Sequence, residues 1–115
     1  MRIDLFGDLD RMDAAAWAAH LAPDAVMRCG SADPVHSRAS CEAAVAGVLA
    51  RVRGISHQII ETWEHGGATI CENSLTVIAD DGGEIEVPSV TIYRTDASRL
   101  IADYRVYHDL GPVFV

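Results

Sequence analysis

The stretch EIEVPSVTIYRTDASRLIADYRVYHDLGPVF, residues 84–114, decides the fold. Its residues alternate in character from Glu84 to Arg94 and again from Leu100 to Asp109, the period of two that strands require. A short polar turn, Thr95 to Arg99, joins the two runs, and Gly111-Pro112 stops the second. Two further strands read upstream, Ser56 to His65 and Ala68 to Ala79. The connections Gly66-Gly67 and Asp80-Asp81-Gly82-Gly83 are built from residues that tolerate positive φ in tight hairpins.

Before Ile55 the period is mostly helical. Arg2 to Leu9 is a short helix candidate. Asp13 is placed to cap a second, Ala14 to Leu21, with Trp17 and Leu21 on one face, and Pro23-Asp24 ends it. Ala25 to Gly30 reads as a short strand, and Ser31 to Ser37 as a loop turning at Asp33-Pro34. Arg38 to Arg53 is the clearest helix: Ser40 is a candidate cap, Val45, Val48, Leu49 and Val52 form a stripe at helical spacing, and Gly54 ends it. Helices first and an antiparallel meander after describe an α+β domain, and 115 residues suit one domain over 1–115.

Composition removes several function classes. The net charge of -8 disfavours nucleic acid or an anionic membrane as partner. No apolar run approaches the ~18 residues of a membrane span. The acidic start MRIDLFGDLD lacks a signal-peptide apolar region, so a cytoplasmic location is expected. All nine basic residues are arginine, which removes Schiff-base and phosphate-loop lysine chemistry. An arginine-only, alanine-rich chain points to a GC-rich bacterial genome. Cys29, Cys41 and Cys71 have no short metal spacing and read as small buried hydrophobes. His57, Glu61, Glu64 and His65 resemble a metal cluster on paper, but four strand residues span ~13 Å, too far for one ion. No metal and no cofactor are expected.

With DLDRMDAAAWAAHLAPDAV, residues 8–26, the C-terminal stretch resembles the nuclear-transport-factor-2-like superfamily, in its SnoaL-like (polyketide-cyclase-like) branch. The resemblance covers nearly the whole chain. It implies a cystatin-like cone, a curved antiparallel sheet over about three N-terminal helices enclosing one pocket. It implies no single chemistry, because the scaffold hosts isomerases, cyclases, dehydratases, epoxide hydrolases and non-catalytic binders.

Hairpin register sorts the faces. Short even-numbered turns place Asn73 opposite Val90 and Leu75 opposite Pro88; a three-residue turn then places Ile92 opposite Tyr104 and Val90 opposite Val106. One face so carries Ile60, Thr62, Cys71, Asn73, Leu75, Val77, Pro88, Val90, Ile92, Tyr104, Val106 and His108, and is expected under the helices. The other carries His57, Ile59, Glu61, Trp63, Glu72, Ser74, Ser89, Thr91, Tyr93, Arg105, Tyr107 and Asp109. Trp63, Tyr93 and Tyr107 beside Arg105 have interface composition, and the resemblance implies a homodimer through this outer face.

The resemblance also exposes departures. Positions similar to the water-holding set of limonene-type epoxide hydrolases fall on Met27, Cys29, Asn73, Leu75 and Val106, of which only Asn73 is an amide or charged group. Valine cannot deprotonate water, so that reaction is not expected. Positions similar to the ketosteroid-isomerase base and oxyanion donors fall on Cys29, Leu5 and Val90, none a match. The polar groups left for the pocket are His108, Tyr104 and Asn73, with Thr62 as a lesser fourth; His108 is the candidate acid or base, and Tyr104 and Asn73 the orienting donors. Trp17, Met27, Cys29, Leu75, Val90, Ile92 and Val106 are expected to line an apolar pocket for a hydrophobic small molecule. Asp33 and His36 fall near its rim. The expected function is cofactor-free isomerisation, cyclisation or dehydration by acid–base catalysis. The alternative is a non-catalytic ligand-binding or accessory protein.

Overall fold

The structure is a computed structural model and describes residues 4–111 and 113. Arg2, at the expected start of the first helix, and Pro112, in the expected C-terminal stop, lie outside the described residues. Three helices and six strands follow in the order α1 (Leu5–Asp10), α2 (Ala14–Ala18), β1 (Leu21–Cys29), β2 (Val35–His36), α3 (Arg38–Leu49), β3 (Gly54–His65), β4 (Ala68–Ile78), β5 (Glu84–Thr95) and β6 (Ile101–His108). The strands form one curved sheet in the order β2-β1-β6-β5-β4-β3. All neighbours are antiparallel except β1 and β6, which run parallel. This is the α+β cone expected from the sequence. No described helix is long and apolar enough to cross a membrane.

Each helix is started by a side chain that satisfies a free backbone N–H of its first turn. Asp4 accepts from Gly7 N at 3.2 Å and Asp13 from Ala16 N at 3.0 Å. For α3 the cap is Ser37, not Ser40: Ser37 Oγ accepts from Ser40 N at 3.2 Å. Ser37 sits at φ +84°, which carries the chain from β2 sharply into the helix. The second helix ends at Ala18, short of Leu21, because Leu21 already pairs with Ile101 as the start of β1. Pro23 therefore lies inside a strand, where β1 and β6 lose register between Leu21 and Val26.

Packing joins these elements at two places. Leu5, Leu9, Trp17, Leu21, Met27, Ile101 and Tyr104 form one buried cluster; Val52, Leu75, Val77 and Val87 form a second. Asp8, only 6% exposed, binds the first two helices to the start of β1 by accepting from Arg11 and, at 2.9 Å, from His20 Nε2.

The sheet register corrects the expected faces of β5 and of the first half of β3. The β4–β5 loop has five residues, Ala79 to Gly83, closed by Ala79 N to Gly83 O at 2.8 Å, rather than four. Asn73 therefore opposes Ser89, and Leu75 opposes Val87. Between β5 and β6 a bulge at Arg94/Thr95 shifts the pairing back, so Tyr93 opposes Tyr104 and Thr91 opposes Val106. The two one-residue shifts cancel. The faces expected for β4 and β6 hold, and β5 is inverted: Val87, Ser89 and Thr91 are buried on the concave side, while Pro88, Val90 and Ile92 lie on the convex side. A second bulge in β3, between Ile59 and Glu61, puts Ile55 and His57 on the concave side while keeping the expected Thr62–Cys71 pair. Ile60, the extra residue, is 59% exposed rather than under the helices.

Candidate functional site

Between the helices and the concave face lies a cavity of about 290 Å³. Its two long walls differ in chemistry. On α3, Ala44, Val45, Val48 and Leu49 offer only carbon, whereas the sheet contributes His57, Ser89, Thr91, Tyr104 and His108 among aliphatic neighbours. Trp17, Tyr104 and Met27, all under 5% exposed, close one end. Asp33, exposed in the loop after β1, marks the other as the rim; His36 instead pairs with Val26 in β2 and does not line the cavity.

His57 is held by one carboxylate at two points. Its Nδ1 donates to Asp10 Oδ1 at 2.7 Å, and its backbone N–H reaches Asp10 Oδ1 and Oδ2 at 3.1 and 3.0 Å. The Phe6 ring packs on the imidazole at 4.9 Å. A carboxylate on Nδ1 keeps the proton there and leaves Nε2 as the ring's acceptor. His57 lines the cavity, so Nε2 is the nitrogen available to a molecule inside it.

His108 stands one strand beyond Ser89, its cross-strand partner. Burial lowers its proton affinity below the ordinary histidine value, the nearby His57 lowers it further, and Asp109 opposes the shift. Its Nδ1 is buried with no hydrogen-bond partner. Tyr104 meets Trp17 edge-on, with ring centroids 5.3 Å apart. Burial raises the Tyr104 phenol well above its ordinary value, partly opposed by the Trp17 indole N–H and Thr91, so it stays a neutral donor. The Trp17 Nε1 faces this group without hydrogen-bond geometry and has no other partner. Burial, followed by proximity to Cys41, pushes the Cys29 thiol up, which opposes a role as thiolate.

Of the residues singled out from sequence, His108, Tyr104, Trp17, Met27, Cys29, Leu75 and Val106 lie on the cavity wall. Asn73 is 1% exposed but sits beside the wall; its Nδ2 donates to Cys71 O at 3.2 Å and its Oδ1 has no partner. Val90 and Ile92 do not line the cavity, because β5 turns them to the convex side; Ser89 and Thr91 take their place. Tyr93 leaves the expected dimer face for the concave side, where it opposes Tyr104. Trp63, Arg105 and Tyr107 remain on the convex side, with Trp63 44% and Tyr107 50% exposed. Among the described residues, no three His, Cys, Asp or Glu side chains are placed to share a metal ion.

Sequence reasoning missed His57 and Asp10. The available signal was the doublet Ile59-Ile60, which breaks the alternation of β3 where the bulge falls.

The SnoaL-like domain model matches residues 4–104. No curated protein sequence matches the chain. A protein with a ketosteroid isomerase-like fold from Catenulispora acidiphila DSM 44928, in complex with trimethylamine, superposes at TM-score 0.84 with 14% identity, covering 96% of this chain and 89% of that one. RV0760c from Mycobacterium tuberculosis, in complex with estradiol-17beta-hemisuccinate, gives 0.79 and 22% over 92% and 88%. An epoxide hydrolase from M. tuberculosis, similar to the limonene enzyme, gives 0.78 and 18% over 96% and 80%. At these identities the likeness concerns the fold.

Proposed function

The chain belongs to the SnoaL-like domain family, and from that premise we propose that it is a cofactor-free acid–base catalyst acting on a neutral hydrophobic molecule that bears a carbonyl or hydroxyl group. The observation that carries this reading is His57, fixed through Nδ1 by Asp10, on the same cavity wall as His108. An imidazole whose Nδ1–H is engaged presents Nε2 as the base. His108, kept neutral by its surroundings, supplies a second site for the transferred proton. Tyr104, fully protonated, donates to an oxygen of the substrate. Isomerisation, cyclisation and dehydration each need one proton removed and one delivered, and these groups suffice. The ligand in RV0760c, estradiol-17beta-hemisuccinate, is a steroid half-ester with a free carboxylate, and its steroid skeleton supports a hydrophobic occupant on this fold.

The test is a panel of neutral hydrophobic carbonyl compounds, followed by thermal shift for binding and by mass spectrometry for product. Turnover is expected, and His57→Gln should lower it on the order of 10²–10⁴-fold. Unchanged turnover in that variant would remove His57 from the mechanism. The purely aliphatic α3 wall favours a second reading, a non-catalytic carrier, and binding without product selects it. A homodimer through the convex face, with Trp63, Arg105 and Tyr107, belongs to the same proposal.

A further inference from the structure

Two residues of the cavity wall each carry a buried side-chain nitrogen without a hydrogen-bond partner, Trp17 Nε1 and His108 Nδ1. Buried polar groups are nearly always satisfied, so such atoms mark places where something outside the chain supplies the partner. They are not neighbours. Trp17 packs on Tyr104, and His108 follows Tyr104 by four residues on β6, roughly 13 Å along the strand. Around each, further polar groups gather. Tyr104 and Thr91 stand with Trp17 at the closed end, and Ser89 and His57 stand nearer His108. Val106 separates the two groups on β6, and the facing wall of α3 carries only carbon. Among the described residues lining the cavity there is no arginine, and the only carboxylate is Asp33.

We propose that the cavity is a two-ended site for a neutral, rigid, apolar molecule carrying an oxygen at each end, one taken by Trp17 and Tyr104 and the other by His57 and His108. This rests on the pocket reading above and narrows its substrate class. The closed end offers N–H and O–H donors, so the oxygen held there acts as an acceptor; the open end, with two imidazoles, takes an oxygen that both donates and accepts. The open end is where proton transfer occurs, and the closed end sets the molecule's length and direction. A carboxylate at the closed end would lose its hydration without meeting a cation.

Three rigid probes of matched size test this by isothermal titration calorimetry: 4,4′-dihydroxybiphenyl, 4-hydroxybiphenyl and biphenyl, with 4′-hydroxybiphenyl-4-carboxylate as the anionic partner. Each hydroxyl should tighten binding by about three- to tenfold. The carboxylate should bind more weakly than the diol. Trp17→Phe keeps an aromatic ring and removes the N–H; it should weaken the diol more than it weakens biphenyl, and His108→Leu should do the same. Equal binding of the three neutral probes by the unmodified protein would overturn the two-ended site while leaving the pocket intact, and this result needs no variant to fold. Tight binding of the carboxylate would overturn the requirement for a neutral ligand. Failure of all four probes to bind would overturn the pocket reading as well.

Discussion

His57 draws its chemistry from Asp10, and Asp10 draws its place from the last turn of α1. Asp10→Asn preserves the shape but offers no carboxylate to hold the Nδ1 proton. Turnover of an identified substrate should fall about 10-fold or more, with the affinity for a neutral ligand changed by less than about twofold. Parallel loss of both would make Asp10 a structural residue only. His108 gives a prediction in pH. Its folded proton affinity lies below the ordinary value near 6.5, so the unfolded chain binds the extra proton first as pH falls. The native histidine therefore destabilises the fold progressively below about pH 6.5. His108→Leu should gain thermal stability relative to the unmodified protein on going from pH 7 to pH 5; a constant difference across that range would contradict the assignment. Asp8 is a third residue of this kind, outside the cavity. Asp8→Ala should cost about 0.5–1.5 kcal/mol in chemical denaturation, since the part-buried His20 and Arg11 contacts lose their acceptor.

At the scale of elements, the start of α3 is the clearest test. Ser37→Ala should cost about 1 kcal/mol, whereas Ser37→Gly should cost only a few tenths, because glycine accepts the positive φ that serine holds there. Equal losses would show that the cap bond matters less than the backbone. The existence of β3 to β6 was readable from the sequence because periods of two and 3.6 differ plainly, whereas β2, only Val35–His36, was read as loop because two residues carry no period. Phase was not, and the reason is local. A loop of four residues and one of five both fit Asp80-Asp81-Gly82-Gly83, yet they set β5 in opposite senses. Hydrophobicity does not arbitrate, since β5 buries Ser89 and Thr91 and turns Val90 and Ile92 outward. That inversion occurs where the strand lines the cavity, so the local rule fails where a polar wall is required. His108 and Tyr104 were legible because β6 kept its expected face. His57 was hidden by the Ile60 bulge, and Asp10 by the absence of any sequence rule linking the end of α1 to β3.

For the whole molecule, the convex face of the sheet presents Val90, Ile92, Trp63 and Tyr107 around Arg105, which Asp103 holds through Nε at 2.9 Å. Inversion of β5 strengthens this surface, replacing Ser89 and Thr91 with two branched aliphatics. If it joins two copies, light scattering should report a dimer that Tyr107→Asp shifts to monomer, and added salt should favour the dimer because each copy carries a charge of -8. A monomer at all concentrations and salt levels would leave the face exposed. The concave face bears the larger claim, that two imidazoles inside one apolar hollow meet its ligand. Five histidines make this measurable by imidazole NMR, with His20, His36 and His65 serving as internal controls. On titration with 4,4′-dihydroxybiphenyl, the His57 and His108 ring resonances should move together and saturate while the other three stay fixed. Movement of the three controls instead, or saturable binding that leaves both cavity rings untouched, would contradict the account.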